Sequence, residues 1–181
     1  RYWPAFKKNG KSRITVRQLL THYSGLRADL GLSPKWPGYK VAMKKIIAEK
    51  PVHPPGGSFM YSDINFEILG EIVRRVSGLP LDKYCSKNIF TPLGMKDTGF
   101  RPSGSSVPRI APTEYRNGKL MCGEVNDPSC YAMGGIAGHA GLFSTATDLS
   151  IFARMMLNNG RLGKVKILKP ATVEQMTIPQ S

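Results

Sequence analysis

Cysteine and histidine are both scarce in this 181-residue chain, three of each, and no two cysteines form a Cys-x-x-Cys pair. Structural zinc sites draw on clustered Cys and His ligands, so this spacing implies no metal, and nothing in it asks for a cofactor. Cys122 and Cys130 can pair across a short loop in an oxidising compartment, which leaves Cys85 odd; equally, all three can be buried thiols. No run of about 18 apolar residues occurs, so no membrane span is expected. Acidic side chains are also few, 12 against 26 Lys and Arg, for a net charge of +14. The chain has neither an initiator Met nor an apolar leader at Arg1-Tyr2-Trp3-Pro4, and it reads as a processed product or a piece of a longer protein.

What is present is the composition of a globular domain: 41% hydrophobic and 21% charged residues can build a real core, and 181 residues suit one domain or part of one. The basic excess is concentrated at one end, since residues 1–50 carry twelve basic and two acidic side chains. That stretch could meet an anionic partner such as nucleic acid, a membrane surface or an acidic cell-wall polymer. The plainer reading is that Lys7, Lys8, Lys11, Lys40, Lys44 and Lys45 solvate the surface.

Helical patterns dominate. Residues 14–25 read as a short helix with Val16, Leu19, Leu20 and Tyr23 inward, a Thr15/Gln18 capping box and Gly25 as its stop. A second helix is expected from Tyr39 to Glu49, ended by Pro51. After the Pro54-Pro55-Gly56-Gly57 turn, apolar spacing at Ile64, Ile68, Leu69, Ile72, Val73 and Val76 predicts a helix capped by Asp63 and closed by Gly78. Another runs from about Leu81 to Ile89 into a turn at 91–95, and Asn117-Gly118 centres a β-hairpin within 109–125. Residues 128–147 carry no formal charge apart from what His139 contributes, and hold four glycines, a pattern of backbone packed closely against core or ligand. Thr147 is expected to cap a helix with Leu149, Phe152, Ala153 and Met156 on one face, and Pro170 to begin a last one through Met176. Met155, Met156 and Met176 read as core fillers, His22 and His53 as structural, and Trp3 and Trp36 receive no role.

Four segments in order carry a resemblance. Ile14-Thr15-Val16-Arg17-Gln18-Leu19-Leu20-Thr21-His22-Tyr23-Ser24-Gly25-Leu26, Tyr61-Ser62-Asp63, Pro92-Leu93-Gly94-Met95-Lys96-Asp97-Thr98 and Gly138-His139-Ala140-Gly141-Leu142-Phe143-Ser144-Thr145-Ala146-Thr147-Asp148-Leu149 resemble segments of the serine β-lactamase and penicillin-binding protein family, which includes class C β-lactamases, DD-peptidases and related esterases. The resemblance covers Ile14 to the C-terminus. It implies an α/β (α+β) fold, β-lactamase/transpeptidase-like, with an antiparallel sheet flanked by helices, of which this chain is mainly the helical middle portion.

The resemblance also implies a serine hydrolase working through an acyl-enzyme. In the family a Ser-x-x-Lys element supplies the nucleophile, because a serine hydroxyl is too weakly acidic to attack unaided. Tyr61 would shuttle protons, which asks for a neighbouring cation or a strong hydrogen-bond network, since a phenol titrates near pH 10 in water. Asp63 stands where class C enzymes usually carry Asn; an ionised carboxylate only accepts hydrogen bonds, which moves the expectation toward a peptidase or esterase. His139 is not the family's later His-x-Gly element, since Leu142–Leu149 match an earlier segment, but it can line the substrate cleft.

No serine in the 181 residues has a lysine three positions on. The expectation is therefore a single partial domain over residues 1–181, lacking the Ser-x-x-Lys and the final Lys/His-x-Gly parts and inactive alone. Implied partners are a small-molecule or peptide substrate, including peptidoglycan, in an exported bacterial protein of the periplasm or cell envelope. The alternative is a catalytically dead relative whose basic third binds the cell wall or another polyanion; nucleic acid is the weaker form, because no basic helix carries interleaved stacking aromatics.

Overall fold

Among the described residues the 15-residue helix α3 (Asp63–Ser77) is the longest element, and it packs against the first and fourth helices. A computed structural model describes residues 1–33 and 35–180. In chain order the other helices are α1 (Val16–Leu20), α2 (Tyr39–Ala48), α4 (Leu81–Cys85), α5 (Thr91–Leu93), α6 (Pro128–Ala132), α7 (Ala146–Leu157) and α8 (Pro170–Thr177). The strands are two residues each and pair as three antiparallel ladders: β1 (Gly99–Phe100) with β4 (Leu142–Phe143), β2 (Tyr115–Arg116) with β3 (Lys119–Leu120), and β5 (Arg161–Leu162) with β6 (Val165–Lys166). Helices thus make the body, as expected for the helical portion of an α/β (α+β) fold.

Two apolar clusters hold it together. The larger joins Trp3, Leu19, Leu26, Ile46, Ile64 and Ile68 to Cys130 and Ala137; the smaller gathers Phe90, Leu93, Met95 and Met155 beneath α7. Trp3 and Trp36 are core residues rather than loop contacts. Removing such side chains from water stabilises the fold by about 25 cal/mol per Å² of apolar surface, so the clusters dictate which helix faces turn inward.

The inward faces differ in places from the periodicity. Helix α1 has the expected Thr15/Gln18 capping box but stops at Leu20, and only Leu19 is buried, with Val16 and Leu20 on the surface. Gly25 lies beyond the helix and serves a close approach instead: a Cβ there would sit 2.1 Å from the His53 carbonyl oxygen. Residues 91–93, expected as a turn, are helical, because a π-helical stretch (Ser86–Phe90) carries α4 onward until Gly94 adopts a left-handed conformation. Thr145, not Thr147, caps α7 by accepting the Asp148 N–H, which shifts the buried face to Met155 and leaves Leu149 and Ala153 exposed. Met176 is also exposed.

Lys11, grouped with the solvating lysines, is in fact buried at 1% exposure. Its Nζ donates to the carbonyls of Ile47 and Glu49, and burial draws its pKa below the ordinary lysine value despite the Glu49 charge. The three cysteines are free; Cys122 is exposed and Cys130 buried, so the conceivable 122–130 bridge is not formed. No helix among the described residues is long and apolar enough to cross a membrane.

Candidate active site

The N-terminus of α3 is pinned by backbone contacts to the loop that follows α1. Met60 N–H donates to the His22 carbonyl, Asp63 N–H to the Ala28 carbonyl and the Ser62 hydroxyl to the Arg27 carbonyl. Ser24 donates at 2.5 Å to Asn65 Oδ1, deep in the core. Ser62, rather than Asp63, occupies the N-cap position and makes no side-chain cap bond, so the Asp63 carboxylate is not spent on capping. It turns toward other acidic groups instead.

Tyr61 is 64% exposed, an unusual place for an aromatic unless something else covers or uses it. Its ring stacks on His22 at 4.5 Å between centroids, and Phe66 and Phe59 pack on the same imidazole at 5.3 and 5.9 Å. His22 lies past the end of α1 at a left-handed φ of 62°, so a favourable interaction of its positive charge with that helix end does not account for it. Its Nδ1 accepts the Ser62 N–H at 3.1 Å, which places the ring proton on Nε2. Burial lowers the His22 pKa, partly offset by the Asp63 charge, and a neutral ring remains to stack on Tyr61. Among the described residues no hydrogen bond reaches the Tyr61 hydroxyl.

At the first turn of α3 lies an acidic cluster. Asp63, Asp127 and His139 bring ligand-type atoms within 4.8 Å of one another. His139 Nε2 is 2.8 Å from Asp127 Oδ1 and 3.0 Å from the Ser129 hydroxyl, and Asp127 Oδ1 also accepts the Cys130 N–H. Burial works against the Asp127 charge, but these bonds from His139, Cys130 and Ser129 hold its pKa down at about 2. Glu67 is 1% exposed, and burial pushes it up to about 7 even with His139 nearby. Burial also raises the Asp63 pKa; the charges of Asp127 and Asp29 add to this, while His139 and His22 counter it. His139 pays a desolvation cost for its charge, yet the Asp127 hydrogen bond and the surrounding carboxylates leave its pKa above the ordinary value.

The His139 side chain is only 4% exposed, so it does not present its ring to an open cleft; its contacts run to Asp127 and Ser129. The glycine beside it explains the burial. A Cβ on Gly138 would lie 2.0 Å from the Phe66 carbonyl oxygen and 3.1 Å from the Gly70 N, so only glycine lets this loop press against the α3 backbone.

The family model described as Beta-lactamase matches residues 1–181. The chain belongs to the β-lactamase family. A Salmonella schwarzengrund protein provisionally named a D-alanyl-D-alanine carboxypeptidase is 36% identical over 96% of this chain and 46% of its own length. A Bacteroides dorei structure provisionally described as a β-lactamase is 28% identical, with a TM-score of 0.71 over 96% of this chain and 45% of that one. A penicillin-binding protein homologue from Caulobacter crescentus shares the fold at 22% identity, with a TM-score of 0.77 over 99% of this chain and 53% of that one. This β-lactamase-family chain thus spans about half the length of the curated relatives it matches.

Of the residues singled out from sequence, Tyr61 and Asp63 share the start of α3, while His139 joins Asp63 through the acidic cluster rather than through Tyr61. Asp127, Glu67 and the positioning part of His22 were not foreseen. Asp127 borders the uncharged stretch, and Glu67 lies among apolar helix positions but shares the buried side of α3 with Asn65 and Glu71; neither spacing points to a partner.

Proposed function

We propose that these residues are the helical part of a serine hydrolase that works through an acyl-enzyme, with Tyr61 as its proton-transfer group. The observation that carries the reading is the placement of Tyr61: an exposed phenol, stacked on a neutral His22 and fixed by the hydrogen bonds of Met60, Ser62 and Asp63 to the 22–28 loop. A side chain so held is pre-organised for proton transfer to a substrate seated beside it. A phenol in water titrates near pH 10, so activity near neutrality needs a cation at the hydroxyl. In this reading the lysine of a Ser-x-x-Lys element outside the 181 residues supplies it, together with the serine that becomes acylated.

The named carboxypeptidase relatives favour a D-amino-acid peptide over a β-lactam as the natural substrate, and Asp63 agrees. Asn at that position donates to a substrate carbonyl; Asp in its charged form accepts from a substrate N–H or ammonium. Peptide or ester substrates from the cell wall, in an exported envelope protein, follow as part of the same proposal. The 181 residues alone are expected to be inactive.

Intact mass tests this. The 181-residue chain and the longer gene product are each exposed to a penicillin and to a fluorophosphonate. A covalent adduct on the longer product alone supports the reading. Labelling of neither protein would overturn it in favour of a binding module without catalysis. In a labelled longer product, Tyr61→Phe should slow acylation about 10²–10⁴-fold, the usual size of general acid–base assistance.

A further inference from the structure

We propose that Asp63, Asp127 and His139 form a binding site for a divalent transition-metal ion, with zinc the ion their donors fit best. The three come from separate parts of the chain: the first turn of α3, the residue before α6 and the loop after it. Their ligand atoms already lie within 4.8 Å of one another, so a small closure reaches the roughly 2.0–2.2 Å bonds zinc makes to nitrogen and carboxylate oxygen.

A group of acids near a histidine would not suffice. The independent observation is a pair of orphans behind it. Both carboxylate oxygens of Glu67 and the Nδ1 of His139 are fully buried and have no hydrogen-bond partner, although Glu67 Oε1 faces Nδ1 at 4.0 Å. Buried polar atoms are seldom left unpaired. A metal on Nε2 displaces the Nε2 hydrogen bonds to Asp127 and Ser129 and leaves the ring proton on Nδ1, where Nδ1–H can donate to the facing Glu67 Oε1. That carboxylate–histidine–metal arrangement is the usual way a ligating imidazole is oriented.

The remaining donors are free for the same purpose. The hydrogen bonds to Asp127 converge on Oδ1, from Ser129, the Cys130 N–H and His139, leaving Oδ2 uncommitted. Among the described residues no Lys or Arg pairs with Asp63, Glu67 or Asp127, so the only side-chain base set among these three carboxylates is the His139 imidazole. Two carboxylates and one imidazole suit zinc or manganese; calcium and magnesium prefer oxygen-only sets. Three protein ligands leave a position open.

Zinc binding is read on the 181-residue chain itself, without turnover, so the outcome is independent of whether the hydrolase reading holds. The chain is stripped with a chelator and titrated by calorimetry and equilibrium dialysis with ZnCl₂ and, separately, MnCl₂. Cys122→Ser serves as the background, because that exposed thiol can take zinc adventitiously. The expected result is one zinc per chain, a loss of affinity of about 100-fold or more in Asp63→Asn or His139→Gln, and a loss of about 10–100-fold in Glu67→Gln, the range for a group that orients a ligand. Should His139→Gln fail to fold, Asp63→Asn still decides, since among the described residues no hydrogen bond uses that carboxylate. No saturable uptake of either ion by the folded chain, or uptake unchanged in Asp63→Asn, overturns the proposal.

Discussion

Two histidines approach the first turns of α3, and the groups they meet drive them in opposite directions. His22 is half-buried among Tyr61, Phe59 and Phe66, with Nδ1 taking a backbone N–H; its pKa falls because burial penalises a charge that has few partners. His139 is more deeply buried, which also lowers its pKa, but Asp127, Glu67 and Asp63 surround it and the net shift is upward. Burial therefore does not decide the charge of an imidazole by itself. The neighbours decide it. The aromatic side holds a phenol in place, whereas the acidic side gathers carboxylates around an imidazole.

The comparison breaks most severely at Gly138. Gly138→Ala sets a Cβ against the Phe66 carbonyl, a backbone atom that cannot swing aside, and is expected to cost about 3 kcal/mol by displacing the loop that carries His139. The urea midpoint of unfolding would fall accordingly, and the acidic side would lose its order while the His22 side kept its own. A midpoint within error of the parent chain would show that the loop relaxes freely.

Next in size is a stability change with pH at Glu67, in chelator-treated protein. The folded carboxyl titrates at about 7 against 4.5 for the free group, so its contribution is fully present below about 4.5 and is lost as pH rises through about 7. Glu67→Gln removes that loss and should stabilise the chain by about 2 kcal/mol more at pH 8 than at pH 5, as read from denaturation at the two values. Asp127 runs the other way: held at about 2, its contribution is present above its unfolded value near 3.8 and disappears as pH falls through about 2. A Glu67→Gln effect equal at both pH values would mean that the buried carboxyl does not titrate in this window.

The smallest effect, and the sharpest test of the comparison, is the pair of imidazole titrations. Long-range proton–nitrogen NMR should place His22 below the ordinary 6.5 as the Nε2–H tautomer, and His139 above it. A reversed order would remove the electrostatic contrast.

Much of this was legible in the residues. The Thr15/Gln18 box, the α3 helix with its Gly78 stop and the Asn117-Gly118 turn are local signals, and local backbone geometry carries them through unchanged. Tyr61 and Asp63 were singled out through the four ordered family segments, and the structure sets both at the start of α3. The misreadings share one cause. Val16 and Leu20 belong to an apolar pattern but face outward, and Lys11 belongs to a basic run but points in, because periodicity reports which residues could share a face and not what packs against it. Thr145 and Thr147 compete as caps within two residues, and the hydrogen bond from Asp148 settled the choice.

Sequence alone determined most helices, the family and the chemical types available at residues 61, 63 and 139, since these rest on local propensity and ordered motifs. Tertiary structure alone decided what those groups do to one another. Asp63, Asp127 and His139 are 64 and 12 positions apart along the chain, and they meet only because a glycine lets one loop lie against a helix backbone. Charge interactions fall with distance in space and rise as water is excluded, and neither quantity is written in the order of the residues.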